Sequence, residues 1–252
     1  MKLVKIISFL LIFGMLTCIV ASAECGSNWY IVKKGNSTPG FPDDAAFIAE
    51  HNGIFLDTAC IDKGEKKLYL TFDAGYENGN VAKILDILKD ECIEGAFFIL
   101  NNLIDKNPEL VRRMANEGHL VCNHTANHKD MTTLTNDEML ANLARLESKY
   151  RECTGREMAK IFRFPEGRYS KEKILLCESA GYKTVFWSMA YDDWDNARQP
   201  SSASAIKKLL ATTHNGAIIL LHPTSSTNVE VLPVLIKTWK QQGYTFGSLS
   251  DL

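Results

Sequence analysis

A chain of 252 residues with 46% apolar and 23% charged side chains can bury one large core or two smaller ones. Its formal charge of −2 excludes the basic surface that nucleic-acid binding requires. Repeats and acidic low-complexity tails are absent, which excludes solenoids and charged interaction arms.

The N-terminus, "MKLVKIISFLLIFGMLTCIVASAEC", has two lysines, an apolar run from Ile6 and then Ala21-Ser22-Ala23. This order predicts a secretory signal peptide over residues 1–23, cleaved after Ala23, and a secreted or cell-envelope protein of net charge −4. Retained, the same segment would be a membrane anchor, the one membrane association expected. Six cysteines remain after cleavage, none in a C-x-x-C pair, so a thiolate zinc cluster is not expected. Cys122 lies in an apolar strand and most of the others read as small buried hydrophobes, with Cys25 and Cys60 the pair to test for a disulfide.

Residues 24–66 show no sustained periodicity and contain "KKGNSTPGFPDD", so they read as an N-terminal extension ahead of a catalytic domain over 67–252. From Lys67 onward, strands are predicted at 67–72, 95–100, 119–123, 160–164, 183–188, 217–221 and 244–246. Helices are predicted between them at about 79–91, 108–117, 136–152, 171–181, 202–213 and 228–241, with Thr135 and Glu138 forming a capping signature.

Seven strands separated by helices predict a parallel sheet. Asp73, then His124 and His128, Arg163, Asp192 and Asp193, and His222 follow five different strands. Parallel strands put all their C-terminal ends on one face, and chemistry drawn from several strand ends favours a barrel over an open sheet.

His124 and His128 in "NHTANH" have the spacing that on one helical turn puts two imidazoles within reach of one metal ion, although a pair of surface histidines has the same spacing. Asp73 is a turn acid or a general base, and His222 a satisfied core histidine or a general acid. Arg163 and Asp193 are a rim ion pair, or a chain in which Arg163 holds Asp73 and Asp193 holds Arg163. Tyr76, Trp187 and Trp194 are core aromatics or the walls of a sugar groove.

T-F-D at 71–73, H-T-A-N-H at 124–128, R-F-P-E-G at 163–167, D-D-W at 192–194 and L-L-H at 220–222 resemble, in order, the five motifs of the NodB-type polysaccharide deacetylases of carbohydrate esterase family 4. More narrowly, "YLTFDAGYENG", "GHLVCNH", "VFWSMAYDDW" and "GYTFGSLSDL" resemble the PdaA-like delta-lactam-biosynthetic de-N-acetylases of spore cortex peptidoglycan, as does the leader "NWYIVKKG". The resemblance implies a distorted (β/α)7 barrel, a monomer acting on peptidoglycan glycan strands, and hydrolysis of the N-acetyl group of N-acetylmuramic residues on the way to muramic delta-lactam. It implies Asp73 as base, His222 as acid, Arg163 and Asp193 as orienting residues, and His124 and His128 as ligands of a divalent ion (zinc, manganese or magnesium). Tyr76, Pro165, Gly167, Trp194 and Leu220 would line the substrate site, with the Tyr76 N–H as an oxyanion donor. Most of the family has Asp where this chain has Ala74, and there that Asp is a third metal ligand, so Ala74 is expected to mark a depleted ligand set. The alternatives are a deacetylase of N-acetylglucosamine polymers and a catalytically silent glycan-binding module.

Overall fold

The computed structural model describes residues 26–35 and 37–252. The signal-peptide reading and Cys25 lie outside the described residues. Nine strands form the main sheet: β1 (Gly53–Ile54), β2 (Lys67–Ala74), β3 (Ala96–Ile99), β4 (Leu120–Asn123), β5 (Ala159–Phe162), β6 (Lys183–Val185), β7 (Met189–Ala190), β8 (Ala217–Leu221) and β9 (Thr245–Phe246). All nine pair in parallel, in the order β7-β8-β2-β3-β4-β5-β6-β1, with β9 beside the first residues of β2. All seven predicted strands are present, but the fifth stops at Val185, three residues short of its predicted end, and a separate short strand, β7, follows beyond it.

That break closes the sheet on itself. Residues 186–188 interrupt the strand, so that β6 pairs with β5 while its continuation β7 pairs with β8. The chain after β1 fills the seam: Phe186 donates its N–H to Ile54, Leu56 bridges to Ala217, and Asp57 donates to the Gly216 carbonyl. Gly216 sits at φ 72°, and a Cβ there would lie 2.3 Å from the Asp57 carbonyl oxygen, so only glycine permits this closure.

The segment ahead of Lys67 is therefore joined to the barrel. It carries two short helices (Ala45–Glu50 and Thr58–Asp62) and β1, elements too short for hydrophobic periodicity to register. Trp29 anchors its start, packed on Phe41, Phe55 and Phe186 and donating its indole N–H to the Trp187 carbonyl.

Each strand's alternation sorts its side chains into two layers. From β2, Leu68, Leu70, Phe72 and Ala74 join the apolar layer under the surrounding helices, with Val81, Ile84, Ile99 and Trp239. Tyr69, Thr71 and Asp73 take the other face. The helix Asn136–Thr154 opens with a complete capping box, in which Thr135 accepts from the Glu138 N–H and Glu138 accepts from the Thr135 N–H, and ends at Gly155 in the left-handed region. Beyond the two short helices ahead of Lys67, the helix Asn101–Lys106 was also not expected from the sequence. Among the described residues no helix is long and apolar enough to cross a membrane.

Candidate active site

The C-terminal ends of β2, β4, β5 and β8, with the loop after β7, surround one cleft. Its larger part, about 610 Å3, is lined by Asp73, His128, Glu166, Trp187, Trp194, Leu220 and His222. An adjoining chamber of about 310 Å3 shares Asp73, His128, Trp194 and His222, and adds His124, Tyr76 and Thr224 among its walls.

Arg163 is the buried centre of the arrangement, with no exposed surface. Its guanidinium donates to Asp73 at 2.8 Å, to the Thr71 hydroxyl at 3.0 Å, and to the carbonyls of Val185 and Phe186 at 3.1 and 3.3 Å. It also lies 4.0 Å from the centre of the Phe98 ring. Thr71 is two residues before Asp73 and so on the same strand face, which is the signal by which the sequence could have marked it. Burial alone would raise the Asp73 carboxyl, but the imidazole of His124, the guanidinium of Arg163 and the imidazole of His222 together hold it below the usual carboxylate range. Arg163 is the only one of the three that stays charged at every physiological pH.

The two histidines after β4 are placed by a loop, and not by the helical turn that their spacing suggests. Thr125 and His128 have φ of 77° and 57°. Asn123 accepts from the Thr125 N–H, Asn142 from the Ala126 N–H, and the Thr125 hydroxyl from the His128 N–H. The rings stand edge to face, 5.0 Å apart. His124 Nδ1 donates to the Arg163 carbonyl at 2.9 Å, a partner that can only accept. Its Nε2 therefore carries a lone pair, 3.5 Å from Asp73 Oδ2. Burial lowers the His124 pKa to about 4, so the ring is neutral at pH 7.

A neutral imidazole with its second nitrogen anchored on the backbone, facing an ionised carboxylate with no proton between them, is a donor set suited to a divalent cation. Among the described residues no cluster of three or more His, Cys, Asp or Glu side chains is arranged to hold a metal ion, so His124 and His128 stand as a pair. Ala74 is fully buried in the apolar layer with Phe72 and Leu70, and lines neither part of the cleft. The depleted-ligand reading of Ala74 gains no support from this position, because strand alternation directs its Cβ away from Asp73.

Asp193 does not hold Arg163, as the sequence suggested. Its carboxylate accepts the His222 Nδ1–H at 2.8 Å, the His222 backbone N–H at 2.7 Å and the Asn228 amide at 2.6 Å. Asn228 also donates to the His222 carbonyl and accepts from the Tyr191 hydroxyl. Asn228 and Tyr191 were not legible as site residues, since nothing in their local sequence marks them. Burial opposes charge on His222, yet the hydrogen bond and charge of Asp193, aided by Asp73, raise its pKa above the ordinary imidazole value. The first acid of the D-D-W motif, Asp192, points outward to Lys208.

The expected substrate residues divide. Leu220, Tyr76 and Trp194 line the cleft, the two aromatics each 62% exposed. Pro165 and Gly167 are buried and do not line it. They shape the turn that presents Glu166, and a Cβ at Gly167 would come within 2.8 Å of the Trp187 ring.

The model of the family described as polysaccharide deacetylase matches residues 61–185. The peptidoglycan-N-acetylmuramic acid deacetylase PdaA of Bacillus subtilis (strain 168) is 36% identical over 229 residues, covering 89% of this chain and 85% of that protein. This chain belongs to the polysaccharide deacetylase family. The enzymes of the family hydrolyse N-acetyl amide bonds, and this deacetylase is an enzyme of that class. The solved structure of B. subtilis PdaA, described as a family 4 carbohydrate esterase, superimposes with a TM-score of 0.86 at 35% identity, covering 92% of this chain and 97% of that one. A peptidoglycan-N-acetylglucosamine deacetylase of Bacillus cereus is 32% identical over 197 residues, covering 76% of this deacetylase and 90% of its relative. The distorted parallel barrel expected from the sequence is that of the family.

Proposed function

We propose that the protein deacetylates N-acetylmuramic residues of peptidoglycan outside the cytoplasmic membrane, by acid–base hydrolysis between Asp73 and His222. The observation that carries this reading is the pair itself: an acid held as a carboxylate and an imidazole whose protonated form is favoured by Asp193, facing one cleft. Muramic rather than glucosamine sugars are favoured by the likeness to PdaA over most of both chains.

Arg163 fixes Asp73 as a carboxylate, so that Asp73 can take the proton of the water attacking the acetamide carbon. Asp193 holds the His222 ring through Nδ1, which leaves Nε2 to give a proton to the departing amine. Leu220 would offer an apolar wall for the acetyl methyl, and Tyr76, which lines the chamber, would offer its main-chain N–H as an oxyanion donor. His124 and His128 would hold a divalent ion there, whose charge would polarise the acetamide carbonyl. In a spore cortex, the freed amine would then close on the lactyl carboxyl to give the delta-lactam.

Mass spectrometry of muropeptides incubated with the protein, with and without chelator, tests this. Loss of acetyl from muramic residues supports the deacetylation, and a further loss of water marks lactam closure. Deacetylation confined to glucosamine would replace the muramic reading. No deacetylation of either sugar, with or without added metal, would leave the glycan-binding module.

A further inference from the structure

We infer that Gln199 is a positioning residue that holds Trp194 as a preformed platform for a sugar ring, and so governs how tightly a glycan binds in the cleft. This rests on the reading above only for the ligand being a glycan, whether muramic or glucosamine.

Three observations carry it. First, Trp194 has to be held by something other than its own contacts. Its ring is exposed and lines both parts of the cleft, offering a flat apolar face on which the C–H face of a pyranose can pack. The chain from Tyr191 to Pro200 contains no helix or strand, and Trp194 forms no hydrogen bond with the described residues. Its position is therefore set by the backbone on either side of it.

Second, Gln199 bonds that backbone on both sides. Its Nε2 donates to the Asp193 carbonyl at 2.8 Å and to the Asp195 carbonyl at 2.9 Å, the two residues that flank Trp194. Both partners can only accept, which fixes the orientation of the amide and turns Oε1 the other way. Pro200 follows, and a residue before proline is restricted to extended backbone.

Third, the far side of the amide is tied to the strand end that carries His222. Oε1 accepts from the hydroxyl of Ser225, which is fully buried. The Ser225 N–H donates to the His222 carbonyl at 3.1 Å, and its side chain caps the helix Ser226–Gln241 by accepting from the Asn228 N–H. One neutral side chain thus locks irregular backbone onto rigid elements. A platform already in place adds no ordering cost when a ligand binds, whereas a loose one must be immobilised. The three bonds of Gln199 leave the Asp193 carboxylate to His222 and Asn228, so their loss falls on binding more than on the chemical step.

The test measures kcat and KM on chitotetraose and on a muramic tetrasaccharide for wild type, Gln199→Ala and Gln199→Met, the last keeping the bulk and removing the three bonds. The Thr227 hydroxyl still donates to the Pro200 carbonyl in both variants and keeps the end of the loop attached. Both variants should raise KM by roughly three- to tenfold, the effect of ordering a side chain or two on binding, with kcat changed much less. In protein labelled with 5-fluorotryptophan, the Trp194 resonance, identified by its loss in Trp194→Phe, should narrow as for a mobile ring. The resonances of Trp29, Trp187 and Trp239 should stay as in wild type. In a Trp194→Ala background, Gln199→Met should change KM by less than about twofold, since the platform is already gone. Wild-type KM in Gln199→Met, an unchanged Trp194 resonance, or the full KM effect persisting without Trp194 overturns the assignment. If only chitotetraose is turned over, the muramic reading falls on its own and KM for chitotetraose decides Gln199. If neither glycan is turned over, the deacetylase reading falls, and Kd for both glycans by isothermal titration decides Gln199 by the same ratios. No binding of either glycan by wild type overturns it.

Discussion

Asp193 grips His222 twice, through the ring Nδ1–H at 2.8 Å and the backbone N–H at 2.7 Å, so that ring orientation and strand end are fixed by one buried carboxylate. A fully buried acid bonded in this way stabilises the imidazolium and leaves Nε2 free to act on substrate. Because the His222 pKa is raised, its protonated form persists to higher pH than an ordinary imidazole's. The alkaline limb of kcat/KM should therefore fall above pH 6.5. Asp193→Asn removes the charge and should move that limb to lower pH. His222→Ala should cost roughly 10²–10⁴ in rate without loss of metal binding. A pH–rate profile of the Asn variant superimposing on that of wild type would refute the pairing.

Arg163 and Asp73 form the second pair, and here the guanidinium is completely enclosed. Arg163→Ala would leave the Asp73 carboxylate without its permanent counter-charge and four acceptors without a donor. The expected loss is about 3–5 kcal/mol of stability, the usual result of breaking one partner out of a buried pair. Denaturant unfolding measures it, and activity should fall with it at every pH.

His124→Ala and His128→Ala should each abolish turnover and zinc binding while circular dichroism stays native. Two side chains cannot lose one and still define a site. Isothermal titration with zinc and manganese, beside deacetylation assays, checks both halves. Near wild-type turnover by either variant with added metal would show that the pair is not the ligand set.

Ala74→Asp tests the position that looked like a missing ligand. A carboxylate replacing a methyl in the fully buried layer beside Phe72 should destabilise the metal-free protein by roughly 3 kcal/mol. For a chain of this size that is about 6–12 °C in Tm. Burial raises the folded-state pKa of such a group, so the folded form binds more protons and the deficit should shrink as the pH is lowered. Thermal melts with and without zinc read this out. Full recovery on adding zinc would show that the new carboxylate reaches the histidines after all.

The alternation of strands and helices, the capping box at Thr135 and Glu138, and the delivery of Asp73, His124, His128, Arg163 and His222 to one face were all legible in the sequence. Each depends on local periodicity, or on the rule that parallel strands end on one side. The segment before Lys67 was not legible as part of the barrel. β1 has two residues, and a seam strand that short is specified by the gap it fills and carries no pattern of its own.

The partner of Asp193 was decided only in three dimensions. In sequence Asp193 follows the strand adjacent to that of Arg163, and opposite charges at neighbouring strand ends invite a direct pair. The interruption at residues 186–188 moves the chain across the seam, so that β7 runs beside β8 and releases Asp193 at His222. Glu166 comes to the cleft for the same kind of reason, because its turn is held by contacts from Trp29 and Trp187 that lie far away in the chain. The sequence by itself determined which chemical groups share a face, since period and strand direction are local properties. Only the tertiary structure decided which of those groups touch, since that depends on how the sheet closes.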